Sequence, residues 1–350
     1  MSTKMRVCLF LAALLPALCT ASAQQTPETG KSRSIHLNVV VRSGSGTKAG
    51  PPVADLQQQD FTLIDNKLPR PITAFKAVRG SDAPTRVILL IDALNTRFTT
   101  VAYERDEAQK FLRSNGGHLT HPTAVAVLTD KGVQMQPAFS RDGNALADAL
   151  GHYEIGLREL TRSTGIYGAN DRLQISTLAV RQLTNYAATL PGRKALLWIS
   201  PGWALLSGPR IELNAKQQQG VFGDVVAYST EMREANLTLY NINPIGASEG
   251  LLRSNYYQTF LKGISKPSQV DLGDLGLQVL AIQSGGLTFE SSSDTAGLLK
   301  QSLEDLDAWY EIDFDAVVSE KPNEYHHIEI KLDKPGLIAR TRDGYYAQPR

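Results

Sequence analysis

The chain has 350 residues, 42% of them hydrophobic and 20% charged, with a formal net charge of +1 and two cysteines. That is long enough for more than one packed unit at roughly 100–200 residues per domain. The balance of apolar and charged residues excludes a disordered chain, two cysteines exclude a disulfide scaffold, and the near-neutral charge removes the electrostatic case for nucleic acid.

Residues 1–23 come first. Lys4 and Arg6 precede an apolar run, Val7–Cys19, and Ala21-Ser22-Ala23 follows. A basic start, about a dozen apolar residues and a small-x-small end predict a secretory signal peptide cleaved after Ala23. A membrane anchor needs about 20 apolar residues, and this run is shorter and contains Pro16. Bulky Leu18 before Cys19 argues against lipid attachment. Cleavage removes both cysteines together with Lys4 and Arg6, leaving 34 basic and 35 acidic side chains. The mature chain is therefore expected to be exported, periplasmic or secreted, with no thiol chemistry. No later stretch is apolar enough to span a bilayer.

Residues 24–33 read as a linker. Ser34–Ser43 alternates as a strand, with Ile35, Leu37, Val39 and Val41 on one face. Phe61–Ile64 and Ile72–Val78 read as strands around a turn at Asp65-Asn66-Lys67. Beyond a turn at 53–59, no helix is expected before residue 84. Arg86–Asp92 is a continuous apolar run ending in an acid, the pattern of a strand buried on both faces. A helix is predicted over Val101–Ser114, then a strand at Ala124–Leu128 that turns at Asp130-Lys131-Gly132 into Val133–Phe139. Helices follow at 142–152 and 171–190, a strand at 194–199, a helix at 223–235, a strand at 237–242, a helix at 275–284, a short strand at 287–289 and a helix at 293–306. The tail returns to strands at 310–317, 325–332 and 338–346. The expected fold is α/β, with a doubly wound, mostly parallel sheet over 84–307. The segments 34–80 and 308–350 are too small to stand alone, so they are expected to form one β-sandwich around it.

The order of elements from Arg86 to about Asp307 resembles a von Willebrand factor type A domain. The chain from 34 to 348 resembles the acidobacterial VWFA-related proteins. The likeness is carried by Val53–Leu56, Asp60-Phe61, Asp65–Lys67, Ile72, Val87–Asp92, Gly192–Ser200 and the ending Arg340, Arg342, Gly344–Ala347. The resemblance implies a metal-ion-dependent adhesion site at the carboxyl end of the sheet. There Asp-x-Ser-x-Ser, a loop Thr and a later Asp hold Mg²⁺ through hard oxygen ligands. Asp92 matches the first Asp and Thr96 keeps the second hydroxyl, while Thr164 resembles the loop Thr. Leu94 replaces the first Ser, and Pro201 stands in the segment where the last Asp is expected. The site is thus expected to be degenerate and empty of Mg²⁺, with no cofactor. Asp92 then reads as a cap that bonds nearby loop amides. The functional alternative is a metal-free binding face at the same edge, using Arg97, Phe98, Tyr167, Ser200 and Trp203, with Tyr256 and Tyr257 on a 247–273 loop.

Other groupings are weaker. His118 and His121 flank a presumed loop, and His326 and His327 point to opposite faces of a strand, so zinc is not expected. The acidic stretch Glu304–Asp315 reads as a solvated face. No nucleophile elbow, Walker loop or dinucleotide fingerprint occurs. The expected function is a non-enzymatic adhesion-type module binding a protein or glycan partner of the cell envelope. The alternative is an enzyme with a site made of loops at the sheet's carboxyl edge.

Overall fold

The computed structural model describes residues 34–44, 49–80, 82, 85–136, 138–153, 166–203, 212–244, 256–290 and 292–349. The expected signal peptide and linker lie outside them. The first part holds β1 (Ser34–Ser43), β2 (Phe61–Asp65), β3 (Leu68–Arg70) and β4 (Ala74–Arg79). The middle holds β5 (Arg86–Asp92), α1 (Phe98–Leu112), β6 (His118–Thr129), β7 (Gly132–Met135), β8 (Ser140–Asp142), α2 (Gly143–His152) and α3 (Ile166–Ala188). It continues with β9 (Lys194–Ile199), α4 (Ala215–Glu234), β10 (Leu237–Ile242), α5 (Leu277–Gln283), β11 (Thr288–Phe289) and α6 (Thr295–Leu303). The tail holds β12 (Ala308–Asp315), β13 (Glu324–Leu332), β14 (Leu337–Arg340) and β15 (Gly344–Ala347).

The fold is mixed α/β, with one seven-stranded mixed sheet and two four-stranded antiparallel sheets. In the large sheet the order is β11-β10-β9-β5-β6-β7, with β8 also on β6. The five strands β11, β10, β9, β5 and β6 run parallel. The hairpin partner β7 and the short β8 are antiparallel to β6. Period-two alternation divides each central strand between two cores. Ile88, Leu90, Leu196 and Trp198 face α3, α4 and α5. Val87, Leu89, Ile91, Leu197 and Ile199 face α1, α2 and α6. Helices on both faces explain why these strands are apolar on both sides.

The antiparallel sheets run β14-β1-β12-β4 and β15-β13-β2-β3. Each combines strands from both ends of the chain. β1 pairs with β12 through Ser34–Val39 and with β14 through Val40–Ser43, while β2 pairs with β13. Their inner faces share one apolar cluster that includes Leu37, Val39, Leu63, Tyr310, Phe314, Ile330 and Tyr345. Residues from Ser34 onward form one compact unit.

Several local expectations change. The tail segment read as one strand over 338–346 is two strands, β14 and β15, in different sheets, broken at 341–343. The presumed loop around Pro122 is strand: β6 begins at His118, and its first half pairs with β8. Helix α4 starts at Ala215 rather than 223, because Asn214 and Gln217 form a reciprocal capping box. The turn falls where expected, with Asn66 and Lys67 at φ of 48° and 70°, the conformation a two-residue hairpin requires, but it leads into β3, and the strand expected over 72–78 is β4, paired with β12 in the other antiparallel sheet.

Glu311, Asp313 and Asp315 lie half-buried to exposed on one face of β12, in line with the reading of that strand, but Asp305 earlier in the acidic stretch departs from it. Asp305 is fully buried. It accepts from Arg42 Nε at 3.0 Å, from Tyr240 Oη at 3.0 Å and from Arg340 Nη2. Its backbone carbonyl accepts from Arg193, whose guanidinium lies 4.9 Å from the Trp309 ring centre. Asp313 meets His36 Nδ1 at 2.6 Å, and Lys76 lies 3.9 Å from Glu311. Arg42 and Arg340 belong to the antiparallel sheets, while Tyr240 and Arg193 belong to the α/β part. This ion cluster therefore ties the two together.

Candidate functional site at the carboxyl edge of the parallel sheet

The chain leaves β5 for β6 on one side and β9 flanks β5 on the other, so the carboxyl end of β5 is where an open α/β sheet offers a crevice. Asp92, the last residue of β5, stands there with no exposed surface. Its Oδ1 accepts from the backbone amides of Leu94 at 3.0 Å and Asn95 at 2.9 Å. Its Oδ2 accepts from Asn95 Nδ2 at 2.8 Å, Ser200 Oγ at 2.8 Å and Trp198 Nε1 at 3.3 Å. Burial raises the Asp92 pKa, and the bonds from Asn95, Ser200 and Trp198 oppose that rise.

The donors come from separate elements. Asn95 lies in the β5–α1 loop and also donates to Ser176 Oγ of α3 at 2.9 Å. Ser200 follows β9, and its hydroxyl accepts from the Gly202 amide at 3.0 Å. Gly202 has φ of 88°, and a Cβ there would meet the Gln278 side chain at 2.8 Å, so this tight turn requires glycine. Gln278 of α5 in turn accepts from Tyr256 Oη at 2.7 Å and donates to the Pro201 carbonyl at 3.2 Å. Trp203 is 4% exposed, donates to the Leu275 carbonyl at 3.1 Å and packs edge-on to Trp198.

The residues expected to make a site are placed differently from one another. Asp92 and Ser200 come together through a hydrogen bond, and Thr96 is buried with its hydroxyl bonded to Glu104. Thr164 lies outside the described residues. Phe98 and Tyr167 are described only through the backbone, at the starts of α1 and α3. Arg97 is exposed at the N-cap of α1. Ser200 and Trp203 brace the edge from inside, and Tyr257 is 9% exposed. They are held within the wall instead of being displayed to a partner.

One residue escaped the sequence reading. Glu104 of α1 has no exposed surface. Its pKa lies well above the ordinary carboxylate value: burial and the nearby Asp92 charge raise it, and the Thr96 hydroxyl partly opposes them. A signal was present. Val101, Glu104, Ala108 and Phe111 follow the 3-4 spacing of one helix face, and the other three belong to the core. An acid on such a stripe is buried by position.

The arrangement does not fit a Mg²⁺ ion. Octahedral coordination needs free oxygen lone pairs, and both oxygens of Asp92 are already taken by protein donors. Leu94 is packed in the core, and Pro201 offers only its carbonyl, which Gln278 uses. Among the described residues no three His, Cys, Asp or Glu side chains are grouped to hold a metal. The Ser200 hydroxyl is fully buried and donates to a carboxylate, so it braces the loop and is not placed as a nucleophile.

No family model matches the chain, and no curated protein does. Among solved structures, the TFIIH p34 N-terminal domain is similar at 13% identity and a TM-score of 0.29, over 63% of this chain and 97% of that one. The pilus adhesin SpaC from Lactobacillus rhamnosus GG is similar at 9% identity and a TM-score of 0.37, over 81% of this chain. This chain spans about half the length of that adhesin, 48%.

Proposed function

We propose that the chain is an exported, non-enzymatic interaction module of the von Willebrand A type, whose metal-ion-dependent adhesion site is degenerate. In this reading the sheet edge is closed by hydrogen bonds instead of a cation. The partner is a protein or glycan of the cell envelope, engaged by surface groups such as Arg97 around that edge. The observation that supports it is the saturation of Asp92 by five donors from the β5–α1 loop, β9 and the residue after it. No described helix is long and apolar enough to cross a membrane, which agrees with a mature chain that has no spanning segment.

Thermal melts in EDTA and in millimolar Mg²⁺ or Mn²⁺ test the metal part. The curves are expected to superimpose. A saturable rise of several degrees that disappears in Asp92→Ala overturns the degenerate site. Capture of an envelope component by the immobilised chain, undiminished by EDTA and lost in Arg97→Ala, is the outcome expected for the interaction part. Turnover of a substrate abolished by Ser200→Ala favours an enzyme instead.

A further inference from the structure

An open cleft of about 520 Å³ lies against β2 and β3, within the range of roughly 300–1,000 Å³ common for small-ligand sites. Phe61, Leu63 and Ile72 give it an apolar wall, and Gln58 and Gln59 bring side-chain amides. Among the described residues, Arg70 is the one charged group that lines it. The turn carrying the two glutamines is fixed by Asp60, whose Oδ2 accepts from the Gln57 amide at 2.8 Å.

Strand register puts Arg70 there. The Asn66-Lys67 turn sets Arg70 opposite Leu63 and Leu68 opposite Asp65, and cross-strand partners share a face. Leu63 belongs to the apolar cluster between the antiparallel sheets, so Arg70 and Leu68 stand on the inward row as well. At β3, the edge of its sheet, that row is left open: Leu68 is 59% exposed and the Arg70 side chain 33%. Behind Arg70 stands Asp65, fully buried, with Oδ2 3.9 Å from Arg70 Nε, too long for a hydrogen bond. The Asp65 oxygens are engaged by His326 Nδ1 at 2.7 Å and by the Tyr345 hydroxyl at 2.9 Å. Asp65 therefore steers the guanidinium without occupying its donors. Arg70 Nε is buried with no hydrogen-bond partner among the described residues. A guanidinium with open N–H donors matches the two oxygens of a carboxylate. The apolar wall favours a ligand that also brings apolar surface.

We propose that this cleft binds a small carboxylate with an apolar body, the carboxylate on Arg70 and the body against Phe61, Leu63 and Ile72. The site does not depend on the sheet edge around Asp92. The full chain is titrated calorimetrically at low ionic strength with sodium hexanoate, sodium acetate, hexan-1-ol and hexylamine. Hexanoate is expected to saturate with a Kd of roughly 1 mM or tighter. Acetate, which lacks the apolar body, is expected to bind roughly tenfold more weakly or worse, and hexylamine not at all. Arg70→Gln is expected to weaken hexanoate by roughly tenfold or more. Gln59→Glu changes an exposed side chain and sets a negative charge at the rim, so it decides the matter where Arg70→Gln does not fold; it is expected to weaken hexanoate severalfold. A hexanoate isotherm that never saturates overturns the site. Hexan-1-ol or hexylamine binding as tightly as hexanoate overturns the carboxylate class. A hexanoate affinity unchanged in every variant that folds moves the binding away from this cleft.

Discussion

Arg42 and Asp305 stand 263 residues apart in the chain and meet in the interior, Nη2 to Oδ1 at 2.8 Å. Burial opposes the Asp305 charge, but Arg340 and Arg42 outweigh it and hold the pKa below its ordinary value. Asp305→Asn leaves Arg340 without its carboxylate and Arg42 with only the exposed Glu304, and is expected to cost roughly 3 kcal/mol in urea unfolding at pH 7. For the wild type, a lowered carboxylate pKa adds stability that is present above the unfolded value of about 3.9 and lost as pH falls below it. Unchanged urea midpoints for Asp305→Asn would remove the cluster from the account of stability.

A chain ended at Asp307 tests the shared sandwich core. It lacks β12–β15, so β1, β2 and β4 lose the strands they pair with, and Leu37, Val39 and Leu63 lose their cover. Aggregation or a non-cooperative melt is expected. A soluble product with one sharp transition contradicts it.

His121 predicts an acid sensitivity well above pH 4. It is 2% exposed, and neither ring nitrogen has a hydrogen-bond partner among the described residues. Burial first, then Arg141 and Arg193, lower its pKa from 6.5 to about 4. The unfolded chain therefore binds the proton more readily, and the contribution to stability is present above 6.5 and lost as pH falls from 6.5 toward 4. Between pH 7 and pH 5 the wild type is expected to lose about 2 kcal/mol from this residue. His121→Leu should lose correspondingly less, as read from urea midpoints at the two pH values. Parallel losses refute the assignment.

The hub role of Asp92 is tested by comparing two truncations. Ser200→Ala removes one donor to Asp92 and the acceptor for the Gly202 amide, and should cost about 1–2 kcal/mol. Asp92→Ala strands the Trp198, Asn95 and Ser200 donors together and should cost roughly 3 kcal/mol or more. An Asp92→Ala cost no larger than that of Ser200→Ala places the organising group elsewhere.

Local chemistry made much of this fold legible. The runs 86–92, 194–199 and 237–242 are buried strands because apolar residues stand on both of their faces. The turns at Asn66-Lys67 and 130–132 follow from residues that accept a left-handed backbone. Asp92 stood out because an acid closes an apolar strand, and its bonds to the Leu94 and Asn95 amides are the capping expected of it. The rest depended on partners distant in sequence. Residues 338–346 alternate like one strand, yet β14 pairs with β1 and β15 with β13, a division no local pattern carries.

The strands and the turns are properties of the sequence, because each depends on residue type at a short spacing. Only the tertiary structure joined Arg42 and Arg340 to Asp305, buried Glu104 within reach of the Asp92 charge, and closed Ser200 and Trp203 into the wall. Whether a charge is paired depends on which groups the packing brings within a few ångströms of it, and those groups are set by long-range strand pairing.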